Sequence, residues 1–241
     1  MDVQAVIQNL RKSGISLASS SFDCPECEDR GYIVTRSDRG ELITRSCPCQ
    51  IKKNNLRRIE KSGLSGLLER CTMETYQTVE PWQVQAKKAA EAYIANWRGR
   101  WFYAGGNPGS GKTHLCTAIC GELMESGLPV RYLQWRSDIL AIKAKINDAE
   151  AYTDAIQPLK DIRVLYIDDF LKGSVTEADR NIAFEILNAR YVKPDCATII
   201  SSERTIMDIL DWDEAVGSRI AERAKGCIVS VVGDGKNWRL R

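Results

Sequence analysis

Trp101-Phe-Tyr-Ala-Gly-Gly-Asn-Pro-Gly-Ser-Gly-Lys-Thr113 carries an aromatic, strand-like run into a glycine-rich turn, and a helix-compatible segment follows from His114. Its second half, Gly106-Asn107-Pro108-Gly109-Ser110-Gly111-Lys112-Thr113, satisfies G-x-x-x-x-G-K-[ST] at every fixed position. Phosphate oxygens must come close to the backbone in such a loop, where a side chain would stand in the way. Successive N–H groups and the N-terminus of the following helix then surround the anion. The pattern assigns Lys112 to the β- and γ-phosphates and the Thr113 hydroxyl to Mg²⁺. This is a nucleotide site on an α/β frame.

The flanking sequence extends that frame. Ala86, Ala90, Tyr93, Ile94 and Trp97 line one face of a helix expected over 83–97, and Leu115, Ile119 and Leu123 one face of the helix after the loop. Strands are expected over 101–105, 130–134, 162–167, 197–201 and 227–232. Between them come helices over 137–146, capped by Ser137, and 176–192, capped by Thr176, with a largely helical stretch over 205–225. Strands alternating with helices predict a five-stranded parallel sheet with helices on both faces. Val164-Leu-Tyr-Ile-Asp168-Asp169 is a buried strand whose carboxylates emerge at the C-terminal end, where open α/β sheets bind ligands. Asp168 is expected to hold Mg²⁺ and Asp169 to polarise the attacking water. Glutamate is more usual at the second position, and the shorter Asp169 suggests slow or partner-dependent hydrolysis.

The first sixty residues read differently. Val3, Val6, Ile7 and Leu10 predict a short amphipathic helix over 2–12, either packed on its own domain or offered to a protein partner. Cys24-Pro-Glu-Cys27 and Cys47-Pro-Cys49 are separated by nineteen residues that contain two strand-like runs around Ser37-Asp-Arg-Gly40. A hairpin there returns the second cysteine pair to the first, and four thiolates suit Zn²⁺ in a closed structural site. The second pair is one residue shorter than the usual C-x₂-C. Unliganded or disulfide-bonded cysteines are the alternative. Lys52, Lys53, Arg57, Arg58 and Lys61 form a basic run, read as a solvated helix face or a nucleic-acid contact. The expected organisation is a zinc-binding, partner-docking domain over 1–60, a linker over 61–80 and a nucleotide-binding domain over 81–241.

The apolar share of 44% and charged share of 27% are ordinary for a globular chain, and a net charge of +2 does not by itself announce nucleic acid. No stretch resembles a signal peptide or reaches membrane-spanning length. Nine cysteines without a secretory signal point to a reducing, cytoplasmic setting and no membrane partner. Cys116, Cys120, Cys196 and Cys227 fall in expected strands or helices and read as buried thiols.

From Leu64 onward the chain resembles the AAA+ ATPases of the bacterial and phage replicative-helicase loader family (DnaC/DnaI type). The resemblance rests on Gly106 to Leu115, Val164 to Asp169, Ile199-Ile-Ser-Ser-Glu203 and Gly217-Ser-Arg-Ile-Ala-Glu-Arg223. The cysteine-bearing segment resembles the zinc-binding versions of such loaders. Transposase-helper ATPases (IstB type) and the replication initiator's ATPase domain share the same core. The resemblance implies an ATPase that uses ATP, Mg²⁺ and Zn²⁺, forms a homo-oligomer with ATP, and helps place a hexameric replicative helicase on single-stranded DNA. A transposase helper and a nucleotide-switched DNA-binding adaptor with little turnover are the alternatives. It also implies a sensor at Glu203, with Ser202 as substitute, and a trans-acting arginine at Arg219 or Arg223. The resemblance further implies a nucleotide-binding set that takes in His114, which otherwise reads as a packing residue. It implies a DNA contact in the helical segment around Lys143 and Lys145, which otherwise reads as a solvated helix face, and a second sensor at Arg239.

Overall fold

The computed structural model describes residues 22–37, 40–62 and 65–240. The helix expected over 2–12 lies outside them. The chain divides into two compact units between Cys49 and Gln50.

In the first unit, β1 (Tyr32–Arg36) and β2 (Leu42–Ser46) pair antiparallel in the register Tyr32↔Ser46 to Arg36↔Leu42. A helix, α1 (Pro48–Ser62), begins within the second cysteine pair.

The second unit is built on β3 (Trp101–Gly106), β4 (Val130–Gln134), β5 (Val164–Asp168), β6 (Ala197–Ser201) and β7 (Ile228–Val231). They form an all-parallel sheet in the order β4-β5-β6-β3-β7. Successive side chains point to opposite faces of a strand, and here both faces are buried. Phe102, Ala104, Tyr166 and Ile199 join one apolar cluster with α3 (Pro81–Ala95) and α4 (Lys112–Glu125). Trp101, Tyr103, Leu165, Ile167 and Ile200 join the other. That second cluster takes in α5 (Trp135–Lys143), α6 (Ala149–Asp161), α7 (Glu177–Tyr191), α8 (Ile206–Trp212) and α9 (Glu214–Arg223). The helix-both-faces expectation holds: β3, β5 and β6 are buried at every position, and only the edge strands β4 and β7 expose a residue, Gln134 and Ser230.

Several boundaries move, each for a local reason. α5 starts at Trp135 rather than Ser137, because the Trp135 ring packs edge-on against Phe170 at 4.8 Å and Asp138 accepts a hydrogen bond from the Gln134 N–H at 2.9 Å. The stretch over 205–225 is two helices, divided at Asp213, whose carboxylate accepts from the Val216 N–H at 2.9 Å. α6 is an additional helix, capped by Asp148. Residues 65–80, expected as a linker, contain α2 (Ser65–Leu68) and place Met73 and Tyr76 in the core beside α4. Asn55 on α1 is buried, and its amide bonds both Leu128 O and the Val130 N–H at the edge of β4. Segments before the expected domain boundary therefore pack as part of the nucleotide-binding unit.

Candidate functional site

The loop between β3 and α4 closes tightly on itself. Gly106 has φ +113°, and a Cβ there would lie 2.1 Å from Val231 O; Gly109 has φ +69°, and its Cβ would lie 1.9 Å from Asn237 Oδ1. Neither position admits a side chain. Lys112 Nζ donates to Gly106 O at 2.9 Å and Asn107 O at 2.7 Å, so the loop's own carbonyls hold the ammonium. Burial lowers the Lys112 pKa, against the opposing pull of Glu203 and Asp169. A cleft of about 640 Å³ opens beside Pro108 to His114. His114 turns its Nε2 to Thr72 O at 3.0 Å and meets Tyr76 edge-on at 5.3 Å, which fastens the 72–76 segment to α4.

Asp168 stands at the end of β5, 5% exposed. Thr113 Oγ1 donates to its Oδ1 at 3.1 Å, Tyr166 OH to Oδ1 at 2.8 Å and Tyr132 OH to Oδ2 at 2.9 Å; the Ser201 hydroxyl donates as well. Burial first, and then the Asp168 charge, push both tyrosines well above their ordinary value, so both stay protonated donors. Thr113 and Asp168 thus bring two hard oxygen atoms together, the donor set that suits Mg²⁺. The motif pairing is legible in the sequence. Tyr166 was missed, although period-two alternation puts it on the same face as Asp168.

Asp169 follows in the left-handed region at φ +53°, with its N–H donating to Ser201 Oγ at 3.1 Å. Its carboxylate pairs with Lys172 Nζ at 3.0 Å, and the same ammonium pairs with Glu203 Oε1 at 3.1 Å. Asp169, Lys172 and Glu203 all line the cleft with Lys112. Sequence reasoning missed Lys172, because no motif marks the position. Ser202 is fully buried, donates to Phe170 O at 2.7 Å and accepts from the Arg204 N–H at 3.1 Å. That corrects its expected place as a substitute sensor: its hydroxyl is spent inside the turn, and among the described residues it does not line the cleft.

Arg219 and Arg223 share a face of α9, away from this cleft. Arg219 bonds Asn188 Oδ1 at 3.0 Å and Ala215 O at 2.7 Å, and stacks over the Phe184 ring at 5.0 Å. Arg223 donates to Tyr191 O and to Gly99 O at 2.8 Å. Lys143 does not stand free for DNA: its Nζ pairs with Asp179 at 3.0 Å and bonds Thr176 Oγ1 at 3.1 Å. Lys145 is exposed. At the C-terminal end the Trp238 N–H donates to Gly109 O at 3.0 Å, which brings Trp238 and Arg239 to the cleft wall.

In the first unit the Sγ atoms of Cys24, Cys27, Cys47 and Cys49 all lie within 4.8 Å of one another. Cys24 and Cys47 are 3.7 Å apart, and Cys27 and Cys49 are 3.5 Å apart. A disulfide needs about 2.05 Å. A tetrahedral site with Zn–S bonds of about 2.3 Å places sulfurs about 3.8 Å apart. The four thiols fit a metal and not a pair of disulfides.

A parallel five-stranded sheet in this order, with a G-x-x-x-x-G-K-T loop after one inner strand and paired carboxylates after another, defines an AAA+ ATP-binding protein. The chain belongs to the IstB-like ATP binding protein family, whose model matches residues 68–232. Among its relatives, YqaM of Bacillus subtilis (strain 168) is 28% identical over 96% of this chain and 92% of its own length. The replicative helicase loader DnaC of Escherichia coli (strain K12) is 27% identical over 70% of this chain and 69% of its own. The crystal structure of the DnaC helicase loader shares the fold, with a TM-score of 0.59 at 19% identity over 68% of this chain and 98% of that one.

Proposed function

We propose that this chain is an ATP-dependent loader that binds a hexameric replicative DNA helicase and helps place it on single-stranded DNA. The observation that carries the reading is the likeness to the replicative helicase loader DnaC over 70% of this chain. The cysteine module, which precedes the ATP-binding unit in the sequence, would dock on the partner. Gly106 to Thr113 would cradle the phosphates, with Lys112 on the β- and γ-phosphates. Thr113 and Asp168 would hold Mg²⁺, which neutralises phosphate charge when bound. Asp169 would orient and polarise the attacking water. Its shortness and its pairing with Lys172 favour slow turnover. Arg219 would enter a neighbouring subunit's cleft and stabilise charge on the transferred phosphoryl group, so that hydrolysis follows assembly. Cys24, Cys27, Cys47 and Cys49 would hold one structural Zn²⁺. Among the described residues no helix is long and apolar enough to cross a membrane.

The family match equally supports a second reading, a transposase helper that assembles on duplex DNA. Two measurements separate them: co-elution with a hexameric replicative helicase, and the preference for single- over double-stranded DNA with ATP present. Helicase binding and a single-strand preference are expected. Duplex preference without helicase binding would overturn the loader in favour of the helper.

A further inference from the structure

A glutamate in the sensor position is electrostatically awkward. With Asp169 it puts two carboxylates beside Lys112, the residue that the loop motif assigns to the β- and γ-phosphates. Lys112, Asp169 and Glu203 all line one cleft. On the motif's assignment of Lys112, the carboxylate pair lies on the side of the cleft that would receive the end of the polyphosphate that ATP has and ADP lacks. A γ-phosphate brought there meets like charge unless a cation offsets it.

The structure supplies that cation. Between β5 and α7 the chain takes positive φ at Asp169, Leu171 and Gly173 (+53°, +56° and +91°). Two of these are residues that ordinarily avoid the region, and the surroundings must hold them there. The holding is visible: Phe170 N–H donates to Ser201 O at 2.8 Å, Lys172 N–H donates to Asp169 O at 3.0 Å, and Phe170 and Leu171 are buried. This tight loop aims Lys172 back into the cleft, where it bridges Asp169 and Glu203. The bridging bonds outweigh burial and raise the Lys172 pKa, so it stays charged across the neutral range.

We propose that Lys172 is the positioning residue that makes Asp169 and Glu203 compatible with a bound triphosphate, and that it thereby favours ATP over ADP. The inference rests on the ATP-binding reading of the cleft. It describes a device within that cleft which the loop motif and the carboxylates after β5 do not include.

Equilibrium binding of fluorescent ATP and ADP analogues to the full chain, with Mg²⁺, tests it. Lys172→Met is expected to weaken ATP binding about tenfold, roughly 1.4 kcal/mol, and ADP binding about threefold or less. Lys172→Met combined with Glu203→Gln should recover ATP affinity to within about threefold of the parent, since the excess charge is gone. Lys172→Arg should keep ATP binding. The Lys172→Met defect should shrink as salt rises, which a merely structural loss would not do. Equal losses for ATP and ADP, or a double variant as poor as the single one, would overturn the proposal. Lys112→Ala, run beside these, tests the cleft itself. If it binds ATP like the parent, the ATP reading falls and takes this inference with it. If it abolishes binding while Lys172→Met binds normally, only the role of Lys172 falls.

Discussion

Arg219 and Arg223 lie one helical turn apart on α9, yet they use their guanidinium groups differently. Arg223 gives Nε, Nη1 and Nη2 to backbone carbonyls at Tyr191, Lys193 and Gly99, tying the end of α7 to the turn that feeds β3. Removing it strands acceptors in partly buried places. Arg219 rests on the Phe184 and Tyr191 rings and keeps its Nη2 without a partner among the described residues. Arg219→Ala should therefore change stability by about 1 kcal/mol or less, while removing the part of ATP turnover that rises with protein concentration. Arg223→Ala should cost about 2 kcal/mol of stability. Thermal melting beside ATPase assays over a range of protein concentration checks both. Turnover by Arg219→Ala that still climbs with concentration would remove it from the trans role. The sequence places the two arginines on one face by their spacing of four. Which one is tied to the backbone depends on carbonyls at Gly99 and Tyr191, far away in the chain, and no spacing rule reaches those.

The same contrast separates α4 and α7 from α5 and α6. The start of α7 is readable because Thr176 sits three residues before Asp179, and the two form reciprocal caps in the structure. The strands are readable because uninterrupted apolar runs suit a sheet covered on both faces. α5 begins early because Trp135 has a core to enter, a tertiary cause that local capping rules cannot see. Long-range bonds likewise decide the use of Lys143, which is drawn from α5 onto the buried Asp179 carboxylate of α7. Burial pulls the Asp179 pKa up; the Thr176 hydroxyl and backbone N–H, together with Lys143, outweigh it, so the folded value lies below the ordinary 3.8. A carboxyl depressed on folding contributes stability above its unfolded titration, and that contribution is lost as pH falls through the folded value. Asp179→Asn should then lower stability by about 1–2 kcal/mol at pH 7, and the gap to the parent should close as pH drops below about 4. Urea unfolding at pH 7 and pH 3.5 reads this directly. A gap that stays constant would mean that the amide loses packing and not charge. Arg190 joins the same region in a way no sequence rule marks: fully buried, it bonds Thr198 Oγ1, Leu159 O and Ile162 O at 2.8–2.9 Å, and Ala197 O as well.

The two units differ in what holds them together. The nucleotide-binding unit has apolar clusters on both faces of its sheet, and its stability follows from burial. In the cysteine unit the only buried side chains among the described residues are Cys27 and Cys47. Its hairpin leaves Tyr32, Val34, Leu42 and Ile43 exposed, so the strands gain little from burial, and a lone two-stranded hairpin is marginal in water. A metal bound by the four thiolates would supply what is missing, since apparent Zn²⁺ affinities of roughly 10–16 kcal/mol in small cysteine sites act as folding energy. The second pair, Cys47-Pro-Cys49, closes the ring despite its short spacing because Cys49 already lies on the first turn of α1, which swings its Sγ to 3.5 Å from Cys27. Purified protein should therefore carry about one zinc per chain. Titration with a mercurial that caps thiolates should release that zinc and expose the first unit to protease near β1 and β2. ATP binding by the second unit should persist at close to its original affinity. Zinc content below half an equivalent, or a protease pattern unchanged after zinc release, would show that these cysteines do not hold the unit together.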